Sequence, residues 1–492
     1  MADILTAQFV DGPSTTATLR YDFFVNAPSC HAHLLNEGGL SLGSPAWSGE
    51  PQGVGGRYDY RRIQFIQRVE GTKAVALARL SALAKELQRD TNWLKIQFAG
   101  SLTAFYYKTY KTDPGELRLD YVETSQAWDI TVTLVAESLA YGARVTIPTA
   151  QVIQAPADLA GPTRTAMRVV LPTIKGDAPT PLRVSVTPAA SPANNLGSVA
   201  PSVASWLVGC LSGSATMADP VFDGNSVFTG ISGFGGNTAD ATYFGGGYNT
   251  VTVGAATPNL LTRFSVLLPN TVPQGRYKTL LRCRFTAGAA TSLLFRMRTG
   301  PNGIIGASTP NPAVTIDTAA TDTGRNFWVD LGEISVPFGI NPPSDGGGTQ
   351  VQGVFWVDIG TASGAASSVN VDAVKLIPVD GPNVTQTTLL RAVGPANGAS
   401  VPHNAVFGTF DGVLESYWPR VTSSGVYFEG SPALRGYFPV ADPAAAQNVL
   451  IVMALDSGPG SASATSYITA LNAQSAVDVS YYPRYLHVGD GT

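Results

Sequence analysis

The stretch "AVALARLSALAKELQRDTNWLKIQF", residues 74–98, decides how this chain is read, because it holds the one clear run of helical periodicity in a sequence otherwise written in strands and turns. Leu77, Leu80, Leu83, Ala84 and Leu87 share one stripe at helical spacing, while Lys73, Arg79, Lys85, Glu86 and Arg89 mostly lie elsewhere. The pattern predicts a helix with Leu77, Leu80, Leu83 and Leu87 buried against a sheet. Thr72 stands where an N-cap belongs, although no Glu or Gln follows at the capping-box position. Upstream, "YDYRRIQFIQRVEG" sets Ile63, Phe65 and Ile66 among polar residues, as in a half-buried strand. Downstream, "WLKIQFAG", "LTAFYYKTY", "LRLDYVE" and "AWDITVTLVAES" return to strand chemistry around a "DPGE" turn. Strands, one short helix and a strand meander make residues 1–155 one α+β unit.

The remaining chain is mainly β. Of 492 residues, 52 are Gly and 34 are Pro, while only 13 % are charged, which favours turn-rich sheets over helical bundles. Length alone allows several cores. Residues 147–167, "IPTAQVIQAPADLAGPTRTAM", lack periodicity and read as a linker. Beyond residue 155 the chain divides into 156–212, linker and first part of a C-terminal β-sandwich; 213–380, an inserted jelly-roll lobe; and 381–492, the remainder of that sandwich. The expected fold class is therefore a β-sandwich with one short α-helix, followed by β-sandwich and jelly-roll domains.

Composition also excludes functions. A net charge of −4 without a basic patch gives no electrostatic footprint for nucleic acid. No run approaches the length of a membrane span, and "MADILTAQFVDGPS" lacks the basic and apolar regions of a secretory leader, so synthesis in the cytoplasm is expected. Cys30, Cys210 and Cys283 are odd in number and far apart, which suits buried thiols better than a disulfide framework.

Chemistry-bearing motifs are few. "GLSLG", residues 39–43, matches a nucleophile pattern around Ser41 but leads into a loop instead of the helix that pattern requires. "CHAHL" brings Cys30, His31 and His33 close together, yet His403 and His487 stand far along the chain and a tetrahedral site needs four ligands. Asp330, Asp358 and Asp372 could serve a structural calcium, but read more simply as strand-end residues capping turns. No pair of carboxylates is singled out for glycoside hydrolysis. We expect no catalytic residue, no metal and no cofactor. Trp328 and Trp356 sit inside apolar strands and belong to a core, whereas Tyr243, Phe244 and Tyr248 fall in the glycine-rich "FGGNTADATYFGGGYNT" loop, residues 234–250, where exposed rings could stack on a sugar.

The order of "YDYRRIQFIQRVEG", "ALARLSALAKELQ", "NWLKIQFAG", "FYYKTY" and "WDITVTLVAES" resembles the N-terminal belt domain of siphophage distal tail proteins and related minor tail proteins. The lobe ending "VNVDAVKLIPVD" and the later "VSYYPRYLHVG" are similar to other parts of such proteins. The resemblance implies a tail-tube-like β-sandwich that assembles as a homohexameric ring, with a trimer as the alternative. It implies a place in the virion, at the tail tip, between the tail tube protein and the tip hub protein. Appended carbohydrate-binding-like lobes point outward in that family, toward host-surface glycan or neighbouring tail proteins. The glycine- and proline-rich stretch 36–58 would be an interprotomer arm. The alternative reading is a carbohydrate-binding adhesin or receptor-binding tail protein.

Overall fold

A computed structural model describes residues 4–14, 16–24, 30–35, 61–90, 92–98, 103–110, 117–137, 139–147, 166–187, 203–217, 220–223, 227–240, 243, 246–255, 260–269, 272–288, 291–301, 309–318, 326–336, 353–393, 407–420, 433–457 and 476–485. Among these residues the fold is built of antiparallel sheets and one α-helix, Lys73–Leu87, so the expected mainly-β class holds.

The first sheet runs Leu19–Asp22, Ile4–Val10, Asn92–Phe98, Phe105–Thr109, Ala127–Ala136, Arg61–Glu70, Cys30–Leu35, with Arg118–Val122 alongside Ala127–Ala136. Alternation along Arg61–Glu70 sends Ile63, Phe65, Gln67 and Val69 inward, leaving Ile66 half-buried. Phe65 stacks on Phe23 at 4.3 Å. The buried amide of Gln67 accepts from Tyr21 Oη at 2.6 Å and donates to the Phe23 carbonyl at 2.8 Å, so its polar ends are satisfied inside an apolar cluster.

The helix lies over this core with Leu80, Leu83 and Leu87 turned inward as expected and Leu77 turned out. Ala76, Leu83 and Leu87 are buried and Leu80 packs partly against the cluster, while Leu77 is 45 % exposed. At about 100° per residue, positions 76, 80, 83 and 87 fall within a narrow arc, and Leu77 lies well to one side of it. Small Ala76, fully buried, takes a place on this arc. Thr72 is the N-cap by backbone conformation, extended at φ −74° and ψ 157°, without a side-chain capping bond.

A second body forms from strands distant in sequence. Val203–Gly213 lies between Gln447–Ser457 and Val384–Val393, with Ala166–Leu171 and Ala433–Gly436 completing that layer. The opposing layer contains Val145–Ile147, Ala476–Tyr481, Thr180–Thr187, Phe407–Asp411 and Ser416–Arg420. Trp206, Cys210, Phe410, Leu450 and Val479 fill the space between them. Burial pushes the Cys210 thiol up to about 12, and Cys283 is likewise buried and raised by burial.

Between Gly213 and Val384 the chain builds two facing sheets. One runs Phe234–Ala239, Gly247–Val253, Ser367–Pro378, Gly275–Gly288, Asn326–Val336; the other runs Phe228–Gly230, Leu261–Leu267, Gly353–Gly364, Thr291–Pro301, then Thr309–Pro310 and Val314–Thr318. Phe264, Phe285, Phe295, Phe355 and Val371 close the core between them. The first of these sheets is covered on its other side too. Leu280, Trp328, Ala373 and Ile377 pack with Leu207, Leu211, Val449, Ile451 and Met453 of the second body, and a bridge joins Phe327 to Asp456. Ser367–Pro378 is consequently buried along nearly its whole length.

Arg484–Tyr485 returns to the first sheet and pairs with Ala140–Tyr141. Tyr485 meets Phe105 edge-on at 5.5 Å, and the Arg484 guanidinium sits 5.3 Å over the Tyr141 ring. At Gly176, φ is +109° and a β-carbon would lie 2.7 Å from the Arg484 carbonyl oxygen, so glycine lets the returning strand approach.

Candidate functional site

The aromatic loop singled out in the sequence closes over the outer edge of the inserted lobe's first sheet. Backbone bonds Tyr243 N to Asp240 O, Gly246 N to Tyr243 O and Asp240 N to Gly246 O tighten it, and Gly246 takes φ +79° at the return. Tyr243 is only 5 % exposed, which corrects its reading as an exposed stacking platform. Its hydroxyl oxygen accepts from Asn370 Nδ2 at 2.8 Å and lies 3.5 Å from Arg284 Nη1, and the Arg284 guanidinium sits 5.7 Å from the ring centroid. Burial raises the Tyr243 hydroxyl's pKa, against the opposing pull of Asn370 and Arg284. The loop ring is held because its hydroxyl gives the buried Asn370 amide an acceptor.

Tyr248 follows on the strand Gly247–Val253 and is half-buried, its ring 4.4 Å from Tyr243. Thr250 Oγ1 donates to Asn370 Oδ1 at 3.0 Å, extending the polar network. Tyr248, Arg284 and Thr250 therefore form a partly accessible patch carrying one aromatic ring, donors and acceptors, suited to a hydroxyl-rich ligand and without a nucleophile or a free acid–base pair. Phe244 lies outside the described residues.

The three aspartates are not turn caps at strand ends. Asp358 lies inside Gly353–Gly364 and is fully buried; Arg296 donates from Nε and Nη2 to its Oδ2 at 2.9 and 2.8 Å, and Arg298 Nη2 to its Oδ1 at 2.7 Å. Asp372 lies inside Ser367–Pro378, 3.0 Å from Arg282 Nη1, with both side chains nearly excluded from water. Asp330 Oδ1 binds Lys278 at 2.7 Å and accepts the Gly332 amide at 3.0 Å, and Oδ2 lies 3.7 Å from Arg391 of the second body. Carboxylates committed to cations make poor calcium ligands. Among the described residues no group of three His, Cys, Asp or Glu gathers as a metal site.

Trp328 and Trp356 are buried, at 4 % and 3 % exposure, as their apolar strands imply. Ser41, His403 and His487, and the side chains of Cys30, His31 and His33, lie outside the described residues. Sequence reasoning names Asp358 only as a possible calcium ligand and does not find its arginine partners. Their signal lies in "LLFRMRTG": Arg296 and Arg298 share one face of a strand whose other face carries Leu293, Phe295 and Met297, all fully buried.

No family model matches the chain, and no curated protein matches it. Among solved structures, it is similar to the CBM22-1 xylan-binding domain from Paenibacillus barcinonensis Xyn10C, at 13 % identity, covering 36 % of this chain and 97 % of that one, with a TM-score of 0.22. It is also similar to the Dit protein of SPP1, described as a hub adsorption apparatus of Gram-positive-infecting phages, at 10 % identity over 75 % of this chain and 98 % of that one, with a TM-score of 0.20.

Proposed function

We propose that this chain is a structural component of a bacteriophage tail tip, a ring-forming distal or minor tail protein that joins the tail tube to the tip hub and works through interfaces without turnover. The observation that carries this reading is the open first sheet. Among the described residues, Leu19–Asp22 pairs only with Ile4–Val10, and Cys30–Leu35 only with Arg61–Glu70. Outermost strands that keep unpaired backbone groups invite continuation into another copy, and a ring satisfies every such edge at once. The sequence resemblance to belt domains supports the same reading. In it residues 1–155 form the ring, 156–212 and 381–492 form the C-terminal sandwich, and 213–380 form the lobe. The ring is a homohexamer, with a trimer as the alternative, and its place is the virion's tail tip.

The lobe's contact with cell-surface glycan is the second part of the proposal, favoured by the Tyr248, Arg284 and Thr250 patch. An adhesin role then adds to ring formation. Mass photometry and negative-stain microscopy of the full chain test the first part: rings with a lumen are expected, and a strict monomer at micromolar concentration overturns it. A glycan array read with wild type and Tyr248→Ala tests the second, with loss of glycan signal and unchanged oligomeric state expected.

A further inference from the structure

We propose that the outer face of the lobe's second sheet carries an anion site at Arg296 and Arg298, which receives a carboxylate or phosphate group borne on a saccharide. The saccharide part rests on the glycan contact proposed above; the anion part rests on the geometry of this cluster.

In the register between Thr291–Pro301 and Gly353–Gly364, Arg296 stands opposite Asp358 and Arg298 opposite Trp356. Asp358 is saturated: Oδ2 accepts twice from Arg296, and Oδ1 accepts from Arg298 and from Thr262 Oγ1, the latter at 2.9 Å. Arg298 Nη2 also contacts Thr262 Oγ1. One carboxylate thus serves two guanidiniums, and the pair keeps a net positive charge.

A cross-strand ion pair that only stabilised the sheet would need one arginine. The second leaves a specific defect, since Arg298 Nε is buried without an acceptor. Arg296 Nη1 also remains unengaged by Asp358. The side chains keep 29 % and 16 % of their surface open, so an anion can approach Arg296 Nη1 and the outer part of Arg298, while Arg298 Nε lies inside. Asp358 holds both planes in place beforehand. Two pinned guanidiniums, a spare Nη1 donor on Arg296 and surplus positive charge match the oxygens of a carboxylate or phosphate. A neutral sugar hydroxyl would leave the charge uncompensated.

The test is calorimetric titration of the full chain with four probes: oligogalacturonate, the same oligosaccharide fully methyl-esterified, phosphomannan and inorganic phosphate. Binding of oligogalacturonate or phosphomannan is expected, whichever acid group fits, with the methyl ester at least about tenfold weaker than the free acid in the first case. Arg298→Gln is expected to weaken the anionic probe by about tenfold or more, as is Arg296→Lys, which keeps the charge but removes the fork. If Arg298→Gln does not fold, Arg296→Lys decides. Equal binding of acid and ester, no binding by any probe, or anion binding unchanged in both variants overturns the site. Equal binding of acid and ester leaves the glycan reading standing, whereas inorganic phosphate binding without any saccharide keeps the anion site and sinks that reading.

Discussion

The first sheet and the inner lobe sheet solve the same problem in opposite ways. The first shares one core with the single helix, meets Val413 and Tyr482 only around Val10, Trp93, Tyr106 and Tyr141, and among the described residues keeps outer strands with one partner each, one of them carrying Leu19 at 52 % exposure. The inner lobe sheet is covered on both faces, by its partner sheet and by the second body, so even its charges are buried and must be paired. Openness at an edge suits assembly, and double coverage fixes the lobe to the second body as a packed block. The difference teaches where change is tolerated: costly in the stack, cheap on the rim.

Breaking the stack should cost most. Asp372→Ala removes the carboxylate paired with Arg282, whose side chain is 7 % exposed, and is expected to cost about 3–5 kcal/mol in urea unfolding. On the first sheet, Leu83→Ala should cost about 2–5 kcal/mol, whereas Leu77→Ala on the same helix should stay within about 0.5 kcal/mol. Equal losses at both positions would contradict the packing arc of the helix. Tyr243→Phe leaves the buried Asn370 amide without its acceptor and should cost about 1–3 kcal/mol, read by thermal unfolding.

Alkaline titration sharpens the contrast further. The Cys210 thiol and the Tyr277 hydroxyl are each pushed up to about 12 by burial, from ordinary values of 9.0 and 10.0. A raised folded value means that the unfolded chain loses its proton first, so stability is intact below about pH 9 and falls as pH climbs toward 12. Each fully buried group can remove about 1.4 kcal/mol per pH unit in that window, and Cys210→Ala should flatten the fall in unfolding midpoint between pH 9 and 12. The smallest effect on stability belongs to the rim: Leu19→Lys should change it by less than about 0.5 kcal/mol, yet abolish rings in mass photometry. Rings that survive the change would remove that edge from the interface.

How much of the fold is legible in the sequence depends on the range of the interactions. Strand alternation and the helix are local signals, and Ile63, Phe65, Leu83 and Leu87 take the inward places that periodicity assigns them. Leu77 misleads because its hydrophobicity outweighs its angle, and Ala76, which takes the place facing the sheet, carries little hydrophobic signal. Tyr243 reads as exposed because its loop is rich in glycine, but its partner Asn370 is 127 residues away. Arg298 and Asp358 stand 60 residues apart, so the alternating arginines are visible while the carboxylate beneath them is not.

The strand at Arg484–Tyr485 gives the molecule an order of construction. Its neighbour Ser480 binds Arg144 across 336 residues, and Arg484 itself seals the margin of the first sheet. During synthesis that sheet emerges long before its last seam exists, and domains made first ordinarily fold first. Here Arg484 follows its partner Tyr141 by 343 residues (484 − 141), so the sheet stands unsealed while everything between them is translated.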